Sequence, residues 1–167
     1  KVAKKEYDII IYDTFLSESV PEHLLTKEGF DDAKRILKPG GMIMVNFYGF
    51  LDGVAGRAAR SVLLTLLDAG FEVELLPTPG AEDSRNLIFI ASESELDFYK
   101  INYEEPGTEK ITNLYPVFHD IENIDLSDAI SLTDDRPVLS KLYTRAAMKW
   151  KRSYNAYYLR NFPSILE

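Results

Sequence analysis

"YDIIIYDTFLSESVPEHLLT", residues 7 to 26, joins an apolar run to a single carboxylate, a polar loop and the first letters of a helix. The run Tyr7 to Tyr12 is short, β-branched and bounded by charge, which is the pattern of a parallel strand buried on both faces. Asp13 ends it. An acid there either caps a turn through its own side chain or stands at a site, because open α/β sheets bind ligands beyond the carboxyl ends of their strands.

The residues downstream extend the same pattern. Thr26 is placed to cap a helix that carries Glu28 in its first turn and Phe30, Ala33, Ile36 and Leu37 on one face, with "KPGG" (38 to 41) stopping it. "GMIMVNF" (41 to 47) predicts a second buried strand. Asp52 can cap the next helix, whose stripe Ala55, Ala58, Ala59, Val62, Leu63, Leu66 and Leu67 ends at Gly70. "FEVELLP" (71 to 77) and "NLIFIAS" (86 to 92) predict two further strands across the loop "TPGAEDSR". Strand, helix, strand, helix, strand, strand implies a twisted α/β sheet whose first pair is parallel through a right-handed crossover and whose last pair is antiparallel.

Composition narrows the functions. The 167 residues are 46% hydrophobic and 12% aromatic, enough for one ordinary core. There is no cysteine, which removes disulfides and thiolate catalysis and suits a reducing compartment, and with His23 and His119 alone no histidine-based metal cluster is visible. "GMIMVNFYGFL" (41 to 51) is far shorter than the roughly 20 residues a spanning helix needs and is interrupted by Asn46. The chain starts at Lys1 without signal-peptide regions and so reads as a fragment or a processed piece. Residues 1 to 135 hold 12 basic and 26 acidic side chains, a net −14, whereas 136 to 167 hold seven basic ones and only Glu167, a net +6. The acidic body argues against nucleic acid as a partner. From Ser140 to Phe162 basic and aromatic residues interleave, as in a helix that lies on anionic lipid, docks on a partner or folds back onto its own acidic domain.

The order "YDIIIYD", "PEHLLT", "LKPGGMIMVN" and "SLTDDRPV" resembles the C-terminal half of the spermidine synthase family, particularly its branch fused to membrane segments, over roughly residues 6 to 139. The resemblance implies the C-terminal part of a class I S-adenosylmethionine-dependent, Rossmann-like α/β sheet over residues 1 to 139, followed by a basic helical tail from 140 to 167. It implies aminopropyl transfer from decarboxylated S-adenosylmethionine to a small-molecule amine, without a metal, in a cytoplasmic enzyme that is membrane-attached at full length in the fused branch. A homodimer or a further N-terminal segment is the expected partner. Small-molecule methyl transfer from S-adenosylmethionine, or a non-catalytic binding module, are the alternatives on this scaffold.

The family's acid at this strand end acts on the amine nucleophile, and the matching position is Asp13. The loop Thr14 to Thr26, with Thr14 and Pro21 on the cofactor side, covers the co-substrate and shapes the amine pocket. Polyamine synthases carry a second acid three positions on, where this chain has Leu16, whereas the fused branch has one five positions on, where it has Glu18. Glu18 is therefore the candidate second amine contact or else a solvated loop acid, and His23 a substrate contact or a loop residue bonded to backbone. A nucleotide-binding sheet also needs a glycine-rich turn after its first strand. No G-x-G occurs, and "GFLDGVAG" (49 to 56) has the wrong spacing and reads as a loop and helix start. The chain alone is expected not to hold the cofactor. In "SLTDDRPV" (131 to 138), Asp134 and Asp135 are either a cation-binding pair or turn residues that pair with Arg136 or cap the helix after it.

Overall fold

The computed structural model describes residues 6–14, 21–96, 98, 102–104, 106–109, 111–113 and 118–161. Four strands form the main sheet: β1 (Tyr7–Tyr12), β2 (Leu37–Tyr48), β3 (Glu72–Pro77) and β4 (Asn86–Ser92), in the order β1-β2-β4-β3. β1 and β2 are parallel, with Tyr12 opposite Val45, and β4 is antiparallel to both β2 and β3. A parallel pair followed by an antiparallel last pair is the topology the sequence implies. The helix α1 (Lys27–Ile36) links β1 to β2, α2 (Arg57–Asp68) links β2 to β3, and α3 (Leu139–Asn161) closes the described chain. A small hairpin of β5 (Asn102–Glu104) and β6 (Ile111–Asn113) lies outside the main sheet. No helix among the described residues is long and apolar enough to cross a membrane.

The core lies between one face of the sheet and the helices. Ile43, Val45 and Phe47 of β2 alternate inward with Phe89 and Leu75 from the neighbouring strands. Phe30 and Ala33 of α1 and Ala58, Ala59, Val62, Leu63 and Leu66 of α2 complete it. Thr26 caps α1 as expected, its hydroxyl accepting from the Gly29 N–H at 3.1 Å. Asp52 does not cap α2. A single turn, Val54–Gly56, intervenes, and α2 begins at Arg57 with no side-chain cap, because the Asp52 contribution is its carbonyl, which accepts from the Gly56 N–H. α1 ends at Ile36, just ahead of "KPGG", and those four residues already belong to β2, which starts earlier than "GMIMVNF" implies. There β2 bulges against β1, Tyr7 facing Leu37 and Ile9 facing Met42. Gly40 takes a φ of 76° in that bulge, and a Cβ on Gly41 would stand 3.1 Å from the Asp8 carbonyl oxygen, so the glycines let two backbones approach.

β1 departs from two-sided burial. Ile10 and Tyr12 pack on the core, Tyr12 stacking on Phe30 at 6.2 Å, but Ile9 is 48% and Ile11 63% exposed. A continuous apolar run has the same periodicity whether or not a second layer covers it. Among the described residues β1 is an edge strand covered on one face.

The tail folds back over its first half. Tyr143 of α3 meets Phe47 edge to face at 5.6 Å, Trp150 meets Tyr48 at 5.7 Å, and the Ser153 hydroxyl donates to the Asp83 carboxylate at 2.7 Å. Beyond Ser153 the helix leaves Tyr154, Tyr157, Tyr158 and Leu159 exposed.

Candidate functional site

Parallel pairing places Tyr12 beside Val45, and the next residue of each strand completes a polar pair: the Asn46 amide Nδ2 donates to Asp13 Oδ1 at 2.8 Å. Asp13 follows the alternation of Ile9 and Ile11, and Asn46 that of Met42 and Met44. The pair therefore lies on the sheet face opposite the α1 and α2 core. Asp13 is exposed and its Oδ2 has no hydrogen-bond partner among the described residues. Asn46 Oδ1 is buried without a partner among the described residues. One carboxylate oxygen is thus anchored and the other is open, which suits a group that must receive a cationic donor in a fixed direction.

The remaining predicted site residues do not converge on Asp13 by direct contact. Thr14 is exposed, Pro21 half-buried, and His23 exposed in the short turn Glu22–Leu24, and no hydrogen bond or ion pair joins any of them to Asp13. Glu18 and Leu16 lie outside the described residues. Asn46 was missed as a site residue. Its signal was present as the one polar letter of the apolar run "GMIMVNF", at the same strand end as Asp13.

The paired acids of "SLTDDRPV" are fastened to the fold. The Thr26 hydroxyl donates to Asp134 Oδ1 at 2.7 Å, the Asp134 N–H donates to Glu28 Oε2 at 3.1 Å, and the Thr133 hydroxyl donates to Asp135 at 2.6 Å. Asp134 thus clamps its loop to the start of α1. Neither acid pairs with Arg136 or caps α3 among the described residues, because the first turn of α3 takes another acid, Glu22, which accepts from the Ser140 N–H.

A cavity of about 480 Å³ opens after β2, lined by Asp52, Arg60, His119, Asp125 and Asp128 among others. Three of its charged groups, Arg60, Asp125 and Asp128, are already engaged. Asp128 grips the buried Arg60 with both oxygens, at 3.0 and 2.7 Å, and Arg60 also donates to the carbonyls of Leu51 and Gly53. These hydrogen bonds from Arg60 hold the Asp128 carboxyl below the usual carboxylate range. Asp125 accepts from the Ser127 N–H at 2.9 Å, which lowers its carboxyl in the same way. Among the described residues no cluster of three or more potential ligands could hold a metal ion.

No protein-family model matches the chain. It is similar to the polyamine aminopropyltransferase of Vibrio vulnificus, 36% identical over 44 residues, which cover 26% of this chain and 15% of that protein. Its fold is that of a probable spermidine synthase from Corynebacterium glutamicum, with a TM-score of 0.53 at 20% identity, covering 78% of this chain and 48% of that one. The chain thus spans about half the length of that solved structure and a smaller share of the curated relative.

Proposed function

We propose that this chain supplies the amine side of a spermidine synthase-like aminopropyltransferase, with Asp13 as the group that holds and deprotonates the attacking amine. The observation that carries the reading is the Asp13 carboxylate at the carboxyl end of β1, anchored through Oδ1 by Asn46 with Oδ2 open. A free polyamine is mostly ammonium at neutral pH and has no lone pair to attack with. The open oxygen accepts one ammonium hydrogen, orients the nitrogen and takes the proton as the new C–N bond forms. The bond from the same carbon to the sulfonium sulfur breaks, and its electron pair stays on sulfur. Such base catalysis contributes typically about 10² to 10⁴ in rate.

Decarboxylated S-adenosylmethionine, as co-substrate, supplies the electrophilic carbon. Asp13 and Asn46 fit the amine half of that reaction, and the sequence holds no glycine-rich turn for the nucleotide half. Glu18, five positions after Asp13, is proposed as the contact for the distal ammonium and His23 as a further substrate contact, with Thr14 and Pro21 of the same loop on the cofactor side. The test is an assay of the complete protein with decarboxylated S-adenosylmethionine over a series of diamines and monoamines, beside S-adenosylmethionine on the same acceptors. Aminopropylated diamine is the expected product. Methylated product alone would replace this reading with a methyltransferase, and neither product would replace it with a binding module.

A further inference from the structure

On the helical side of the sheet, a pocket of about 300 Å³ lies between the start of α2 and the start of α3. Its floor is Ile130, Val138 and Leu142, with Val54 at the rim, and its cations are Arg57, Arg136, Lys141 and Arg145. None of the four cations makes an ion pair among the described residues. The nearest compensation is at Arg57, whose Nε donates to the Asp128 carbonyl and whose charge acts on the Asp128 carboxylate already held by Arg60. In a chain of net charge −8 with 27 acidic residues, four cations have gathered around one apolar floor without a carboxylate of their own. Their mutual repulsion is relieved only by water or by an anion. The first turn of α3 adds little, since its Ser140 N–H already goes to Glu22.

We infer that this pocket binds a small phosphomonoester whose apolar body sits on the floor while its dianion is held by the four side chains. Two or three guanidinium forks match the oxygens of a phosphate bidentately, and Lys141 adds a point charge. The half-buried Ile130, Val138 and Leu142 keep water from one side and strengthen those contacts, while Val54 stands exposed at the rim. The volume is at the small end of ligand pockets, room for a compact molecule and not for a polymer. The inference is independent of Asp13, which lies on the opposite face of the sheet.

Phenyl phosphate is the probe. Calorimetric titration of the 167-residue chain at low ionic strength should give saturable one-to-one binding that weakens with salt, whereas phenol, the ring without the charge, should give none. Lys141→Gln with Arg145→Gln should weaken phenyl phosphate by at least about tenfold, and Asp13→Asn should leave it unchanged. Both cations are exposed, so the double variant should melt like the parent, and Arg136→Gln gives a second, single-site reading. Unchanged affinity in these variants would overturn the proposal. So would sedimentation with phosphatidylserine vesicles without saturable phenyl phosphate binding, which would make the cations a membrane-facing surface.

Discussion

Asn46 donates its side-chain amide to Asp13 across 33 positions of sequence, at the carboxyl ends of two neighbouring parallel strands. The bond orients the carboxylate, and its cost falls on Asn46, whose own Oδ1 is buried without a partner among the described residues. An unpaired buried carbonyl costs about 1–3 kcal/mol. Asn46→Leu should therefore leave the melting temperature unchanged or raise it, while lowering amine transfer in the complete protein. Asp13→Asn should lower transfer by about 10² to 10⁴ with little effect on stability, since Asp13 is exposed. A drop in thermal stability with Asn46→Leu and near-normal turnover with Asp13→Asn would make the pair structural.

The exposed face of β1 makes a prediction about association. Ile9 and Ile11 stand on an edge strand whose outer backbone groups are unpaired by any described strand. Such an edge recruits other chains. Ile11→Lys should reduce concentration-dependent association in analytical ultracentrifugation and change unfolding free energy by no more than about 0.5 kcal/mol. Undiminished association would place the sticky surface elsewhere, the exposed tyrosines of α3 being the next to test.

Thr26 has three partners: its hydroxyl accepts from the Gly29 N–H that it caps and donates toward the Asp134 carboxylate, 108 positions away at 2.7 Å, and the His23 carbonyl at 3.2 Å. Thr26→Val should cost about 1–2 kcal/mol in urea denaturation through the lost cap, and Asp134→Ala about 1 kcal/mol. The double variant should fall short of the sum, because the two residues share a hydrogen bond. Additive losses would remove Asp134 from the clamp.

What was readable in the sequence was local. Thr26 caps α1 because a threonine followed by Lys27, Glu28 and Gly29 offers its hydroxyl three residues ahead, and no distant residue is needed to see it. The parallel first pair and the antiparallel last pair were readable from the link through α1 and the short β3–β4 loop, whereas the antiparallel pairing of β4 with β2, which sets the order of the sheet, was not. Asp13 was readable as a strand-end acid. Its partner was not, since Asn46 comes within reach only through a register that includes the bulge at Gly40 and Gly41. The Asp134 clamp and the Arg60–Asp128 grip, 108 and 68 positions long, were hidden for the same reason. The exposure of Ile9 and Ile11 depends on what covers the second face, which hydropathy does not record.

The Arg60–Asp128 pair sets a limit in acid. Arg60 is 8% exposed and Asp128 44%, so the pair is half open to water. The folded-state value of Asp128 is depressed by Arg60. The stability it contributes is present above the unfolded carboxylate range and lost as pH falls through the lower folded value. Asp128→Asn should lose about 1–2 kcal/mol at neutral pH, the water-discounted worth of hydrogen bonds to a charged group, and should show a flatter fall in urea midpoint between about pH 5 and 3 than the parent. An equally steep fall in the variant would assign the acid transition to other carboxylates.

At the other end of the pH scale the buried ring of Tyr143 should govern. Burial against Phe47 pushes its phenol up to about 12, with a smaller upward contribution from Tyr48. An unfolded tyrosine ionises near 10, so the neutral phenol stabilises the fold fully below that value, and the contribution is lost as pH climbs from about 10 toward 12. Tyr12 and Tyr48 are raised by burial in the same direction. Tyrosinate absorbance followed beside circular dichroism should show the final ionisation coinciding with loss of helix. Tyr143→Phe keeps the ring against Phe47 and removes the ionisable group. Its unfolding free energy should therefore decline less than that of the parent over the same alkaline interval. If every tyrosine of the parent ionised near 10 while the helices persisted, Tyr143 would not be sealed by α3, and the docking of that helix on β2 would have to be abandoned.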